Sequence, residues 1–178
     1  MKIIDTKFNG LKIIKQTKFK DKRGSLRITY SKNLIKKNNF IFEYCTNSKK
    51  NSLRGFHFQH KHQQAKYVSV IKGKILDCVI DLRKNLSTYG KIFKIILSDR
   101  NNLGLYIPKG FAHGYYSYEN ENIIYYKLDD YYKPKLEDGI NALDKKLKIK
   151  WPGKYFLISK KDQKLKSFDS FKKKYKYL

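Results

Sequence analysis

Apolar residues occur along this chain in short bursts separated by turn-forming residues, a spacing that predicts strands rather than long helices. Ile3-Ile4 and Leu11-Ile13-Ile14 flank Asn9-Gly10 and predict two strands around a turn. Asp21-Lys22-Arg23-Gly24 predicts another turn, followed by a strand running toward Tyr30. Ser31 to Asn39 reads as one short helix, with Ser31 as cap and Leu34-Ile35 packing inward. From Phe40 to Tyr132 the pattern is β in character. Tyr67 to Val70 leads through Lys72-Gly73 into Ile75 to Leu82, the pattern of a hairpin. Ile92 to Leu97, Gly104 to Ile107, Phe111 to Tyr118 and Ile123 to Leu128 continue the series, with turn residues between them. Such spacing predicts an all-β antiparallel sandwich or barrel.

After Tyr132 the pattern changes. Lys133-Pro134 breaks the strand, Asp138-Gly139 predicts a turn and Trp151-Pro152-Gly153 closes the region. Residues 154–178 are polar and lysine-rich. They predict irregular structure and a short helix docked through Phe156, Leu157, Phe168, Phe171 and Leu178.

At 178 residues the chain suits one domain, 1–178, that buries its own core. Lysine and arginine number 41 against 15 acidic residues, for a formal charge of +26. Arginine occurs only at 23, 27, 54, 83 and 100, whereas base readout and tight phosphate forks favour arginine. The spread of lysines therefore predicts a solvated basic surface that attracts a phosphorylated small molecule, not a nucleic-acid interface. Cys45 and Cys78 form no CxxC pair, and Cys78 sits in an apolar run as a reduced, buried thiol. No long apolar run follows the start, and none approaches a membrane span, so a soluble cytoplasmic protein is expected.

Chemistry concentrates in Arg54-Gly55-Phe56-His57-Phe58-Gln59 and in Lys66, which together supply a guanidinium, an imidazole and an ammonium. Those groups can hold an anion, remove a proton and stabilise a developing negative oxygen. A lysine on the sheet interior is costly to bury without a purpose. His60, His62 and His113 approach a metal-binding pattern, but Gln63-Gln64-Ala65-Lys66 places a cation where that pattern needs a carboxylate. No metal and no organic cofactor are expected. Tyr125, Tyr126, Tyr131 and Tyr132 predict a tyrosine-dense edge strand, with Tyr126 and Tyr132 sharing side-chain parity. The chain lacks a phosphate-binding glycine loop, a G-x-S-x-G elbow and an HExxH motif.

Taken in order, several segments carry a resemblance. They are Asp21-Lys-Arg-Gly24, Leu53-Arg-Gly-Phe-His-Phe-Gln59, Gln64-Ala-Lys66, Gly73-Lys-Ile-Leu-Asp77, Asp81-Leu-Arg83 and Ser87-Thr-Tyr-Gly90. Ile107-Pro-Lys-Gly-Phe-Ala-His-Gly114, Tyr126-Lys127, Tyr131-Tyr132, Ile149-Lys-Trp-Pro152 and Ser159-Lys-Lys-Asp162 complete the set. This ordered set resembles the dTDP-4-dehydrorhamnose 3,5-epimerase family from about Asp21 to Asp162. The resemblance implies a double-stranded β-helix (cupin jelly roll), with short helices mainly toward the C-terminus. It implies an isomerase that inverts C3, C5 or both of a nucleotide-linked 4-keto sugar through an enolate, for surface polysaccharide or capsule synthesis. By the same resemblance His57 is the base, Asp162 its orienting carboxylate, Lys66 the partner of the C4 oxygen and Tyr126 the acid on the opposite face. Arg23, Arg54, His113, Tyr132 and Lys161 are implied to hold the sugar and diphosphate. Family members are commonly homodimers whose N-terminal strands, here within residues 1–20, join the partner's sheet.

The chain departs from the family at positions that bind the nucleotide. Leu26 and Ile28 stand where the family has phenylalanine and glutamate, and Phe42-Glu-Tyr44 stands where it has Gln-x-Asn. A GDP-linked 4-keto sugar such as a heptose is therefore as compatible as dTDP-4-keto-6-deoxyglucose. A 3,4-ketoisomerase or C3-only epimerase on the same fold, and a non-enzymatic basic sugar- or nucleic-acid-binding cupin, are the competing readings.

Overall fold

The computed structural model describes residues 1–35 and 39–175, apart from the side chain of Leu34. In chain order the strands are β1 (Lys2–Asp5), β2 (Lys12–Lys15), β3 (Thr17–Asp21), β4 (Gly24–Ile28), β5 (Phe42–Ser48), β6 (Leu53–Gln59) and β7 (Lys66–Lys72). They continue as β8 (Lys74–Asp81), β9 (Ile92–Ser98), β10 (Leu103–Ile107), β11 (Phe111–Ser117), β12 (Asn122–Leu128) and β13 (Glu137–Gly139). Two short α-helices close the chain, α1 (Lys160–Gln163) and α2 (Phe168–Lys174).

One sheet has the order β1-β2-β10-β7-β12-β5, a second has β13-β6-β11-β8-β9, and β3 pairs only with β4. The named strand pairs are antiparallel, and the chain passes repeatedly from one large sheet to the other. This is the expected double-stranded β-helix. Strand alternation explains the packing. Val68, Val70, Leu105, Ile107, Ile124 and Leu128 of the first sheet meet Ile75, Val79, Leu97 and Phe111 of the second in one buried cluster. Their neighbours of opposite parity face outward. Cys78, Ile80, Ala112 and Tyr116 are covered by Ile140, Ala142, Leu147 and Phe171 from the C-terminal region. Each large apolar side chain so enclosed stabilises the fold by roughly 1.5–3 kcal/mol.

Several sequence expectations change in three dimensions. Residues 67–82 do not form a hairpin, because β7 pairs with β10 and β12 while β8 pairs with β11 and β9. Gly73 instead carries the chain around the corner between sheets with φ +88°. A Cβ there would lie 2.5 Å from the Glu121 carbonyl oxygen, so only glycine fits without displacement. Asp138-Gly139 is not a turn but part of β13, which pairs with Phe58 and His57 of β6. β12 is not an edge strand; it lies between β7 and β5, and Tyr131 and Tyr132 lie beyond its end.

The early helix is a 3₁₀ turn at Lys32–Leu34, and the Ser31 side chain does not cap it. Ile35 is buried as expected but lies just past the turn, residues 36–38 of that predicted helix and Leu178 lie outside the described residues, and Asn39 is not helical. Residues 159–175 form two helices where one was expected, each capped by a serine hydroxyl, at Ser159 and Ser167. Cys78 is buried and free, and Cys45 is free and exposed.

Candidate active site

A cavity of about 880 Å³ opens into the jelly roll, lined by both large sheets and by the segment leading into α1. Strand alternation delivers most of its chemical groups, and a register shift in β6, where His57 is paired with His113 but Arg54 with Tyr115, brings both Arg54 and His57 to the cavity. β6 contributes Arg54 and His57, β7 Lys66, β11 His113, β12 Tyr126, β13 Glu137 and α1 Lys161 and Asp162. Eight of the nine residues expected at a site are thus gathered around one space; Tyr132, just past β12, is the eighth. Arg23 is not among them. It sits at the β3–β4 turn, where its guanidinium pairs with Asp21 at 2.8 Å.

The imidazole of His57 is held from both sides. Its Nε2 lies 2.9 Å from Asp162 Oδ1, and its Nδ1 lies 3.3 Å from Glu137 Oε1. Asp162 is itself fixed: its other oxygen accepts from the Gly55 N–H at 3.1 Å, and its backbone N–H donates to the Ser159 hydroxyl at 3.0 Å. Burial opposes ionisation of Asp162, but the His57 contact and these hydrogen bonds outweigh it and hold the carboxyl below its usual range. A carboxylate against one ring nitrogen fixes the tautomer and orientation of the imidazole.

Glu137 was not anticipated from the sequence, where it lies in a lysine-rich turn-like stretch with no local motif. Its Oε2 accepts from the Tyr132 hydroxyl at 2.5 Å and also pairs with the Lys161 ammonium. Burial opposes its ionisation, yet Lys161, Tyr132 and His57 together hold it below the normal glutamate range. Asp77 was also missed as a functional partner. It is fully buried and meets His113 Nε2 at 2.8 Å, while its second oxygen has no hydrogen bond. A charge embedded in Ile75-Leu76-Asp77-Cys78-Val79 was the available signal, because an aspartate in an apolar strand needs a reason.

Lys66 and Tyr126 both face the cavity and are unpaired among the described residues. The Lys66 ammonium forms no ion pair, and burial lowers it to about 8 even though Glu137 and Asp77 pull it upward. The Tyr126 ring stacks on Tyr44 at 4.8 Å between centroids and meets the edge of His113 at 5.9 Å, but its hydroxyl has no described partner. Burial above all, then the neighbouring Tyr115, Tyr44 and Asp77, push that phenol well above 10, so it stays protonated. Arg54 is braced by Ser48, whose hydroxyl accepts from Nε at 3.1 Å. His60, His62 and His113 are not assembled: His62 pairs with Asp130, His113 with Asp77, and no group of three metal-ligating side chains occurs among the described residues.

In fold this is a cupin whose barrel gathers an imidazole, two carboxylates, an ammonium and a phenol around one cavity. The profile of the dTDP-4-dehydrorhamnose 3,5-epimerase family matches residues 5–170. The dTDP-4-dehydrorhamnose 3,5-epimerase of Methanothermobacter thermautotrophicus is 36% identical over 172 residues, covering 93% of each chain. The Escherichia coli K12 enzyme of the same name is 33% identical over 176 residues, covering 95% of each. The solved dTDP-6-deoxy-D-glucose-3,5-epimerase of Legionella pneumophila, in complex with dTDP-4-keto-L-rhamnose, superposes with a TM-score of 0.90 at 36% identity. It covers 94% of this chain and 93% of that one. The chain belongs to the dTDP-4-dehydrorhamnose 3,5-epimerase family and is an enzyme of the isomerase class, which sets aside the non-enzymatic reading.

Proposed function

We propose that the protein inverts C3, C5 or both of a nucleoside-diphosphate 4-keto sugar. One observation carries this reading: a carboxylate-held imidazole on one sheet and an unpaired, protonated phenol on the opposing sheet share a cavity with an unpaired ammonium. A ketone at C4 acidifies the C–H bonds on either side of it. His57 removes one of those protons through Nδ1, displacing the longer Glu137 contact, while the Asp162 carboxylate stabilises the positive charge that develops on the ring. The electron pair moves into an enolate whose oxygen is held by Lys66, the electrostatic contribution that usually dominates such steps. Tyr126 then donates its proton to the opposite face of the same carbon, and the configuration inverts. Arg54, His113, Tyr132 and Lys161 bind the sugar and diphosphate.

The relatives favour dTDP-4-keto-6-deoxyglucose as substrate. The aromatic wall at Phe42 and Tyr44, and the exposed Leu26 and Ile28, favour a different nucleotide, for which a GDP-4-keto-heptose is the proposed alternative. Incubation with both substrate types in deuterated water, read by NMR, tests the reading. Each inverted carbon gains one deuteron, and His57→Asn abolishes the exchange without unfolding the protein. Full exchange in His57→Asn would overturn the assignment of the base.

Arg23 reaches this chemistry only if a second copy supplies it. The β3–β4 hairpin is a separate two-stranded sheet with Phe19 and Leu26 exposed, as expected of an arm that docks on a partner. We therefore propose a cytoplasmic homodimer. A monomer in sedimentation at assay concentration, with full activity, would refute this arrangement.

A further inference from the structure

Tyr44 takes no part in the chemistry above, yet it forms the closest described aromatic contact of the proposed acid. It stands on β5 directly opposite Tyr126 in the antiparallel register. The two rings are 4.8 Å apart and inclined by only 21°. Tyr126 also meets His113 in an edge-to-face arrangement with centroids 5.9 Å apart, and that imidazole is fixed in turn by Asp77. The acid is thus held by a stacked ring and by an anchored one. Among the described residues its hydroxyl makes no bond that would orient it, so these ring contacts set its direction. Tyr44 also lines the cavity beside Phe42, whose ring lies 5.8 Å away. It is 36% exposed on an edge strand, so replacing it leaves the barrel core intact.

We propose that Tyr44 is a positioning residue that fixes the ring of Tyr126 by stacking, and thereby sets how often a removed proton is replaced on the opposite face. The inference rests on the epimerase reading and deepens it. After His57 has taken a proton, the enolate has two fates. Proton return from His57, after that imidazole has exchanged with solvent, restores the original configuration with a deuteron. Delivery from Tyr126 gives inversion. An acid free to swing is aligned for less of the enolate's lifetime, and a displacement of about 1 Å can cost roughly 100-fold in a proton-transfer step.

The test uses the full chain with Tyr44→Phe, Tyr44→Ala and Tyr44→Leu, in deuterated water, with a 4-keto sugar nucleotide that the wild type turns over. The readout is the ratio of deuterium in recovered substrate to deuterium in inverted product, together with kcat and KM. Tyr44→Phe keeps the stacked ring and should stay within about threefold of wild type. Tyr44→Ala and Tyr44→Leu should raise the ratio and lower kcat by about tenfold, with a smaller change in KM. Tyr44→Leu retains apolar bulk, so a fall seen there does not come from an emptied site. Wild-type ratios in both ring-less variants, or equal impairment in Tyr44→Phe, would overturn the proposal. Wild-type protein that exchanges no deuterium with any 4-keto sugar nucleotide would instead overturn the epimerase reading beneath it.

Discussion

Lys66 shows how a single residue can be legible in type but not in detail. Its parity on β7 points it inward, and a buried lysine is costly enough to mark a site. What sequence spacing does not convey is that among the described residues its ammonium lacks an ion pair, while two carboxylates, Glu137 and Asp77, lie within electrostatic reach. Burial lowers the group to about 8, and only the charged form holds an enolate oxygen. kcat/KM should therefore fall as pH rises through about 8, and Lys66→Met should abolish most of the activity together with that limb. Stability should move the other way. The unfolded chain binds more protons than the folded one between about 8 and 10.5, so the urea midpoint attributable to Lys66 rises across that window. A flat alkaline profile would show that the ammonium plays no part. His57, Asp162 and Tyr126 were readable because their neighbours carry ordered motifs. Glu137 was not, because its role comes from Lys161 and Tyr132 meeting it in space.

At the scale of elements, strand positions follow from local alternation, but sheet membership does not. Lys72-Gly73 between two apolar runs carries the same local signal whether the chain doubles back in one sheet or turns a corner into another. The corner is fixed by distant groups: Gly73 N–H donates to Asp99 at 3.1 Å, and Asn122 Oδ1 accepts from the Lys74 N–H at 3.0 Å. For the same reason Asp138-Gly139 reads as a turn until β6 offers it a pairing edge. Gly73→Ala tests the corner. It forces a side chain into φ +88° and against a carbonyl oxygen 2.5 Å away. A loss of about 1–3 kcal/mol in chemical denaturation is expected, with little change in KM, because the corner lies away from the cavity. An unchanged denaturation midpoint would mean that the corner relaxes freely.

The whole molecule carries a formal charge of +26, and its proposed substrate carries a diphosphate. Among the five arginines, Arg54 lines the cavity, whereas Arg83 is held by Asp81 and Arg27 donates to the Val70 carbonyl. In the proposed reading, charge recognition inside the cavity falls to Arg54 and Lys161, joined by Arg23 where a second copy supplies it, while the many surface lysines supply a field that reaches beyond contact. The two contributions respond differently to salt. Screening shortens the reach of the field from about 30 Å at 0.01 M to about 8 Å at 0.15 M, but it affects enclosed groups far less. Raising sodium chloride across that range should lower kcat/KM about tenfold while kcat changes by less than about twofold, because the field acts on encounter and not on proton transfer. A charge-neutral analogue without the diphosphate should show no such slope. If kcat falls in parallel with kcat/KM, the salt is acting inside the cavity, and the lysine surface is only a solvating coat.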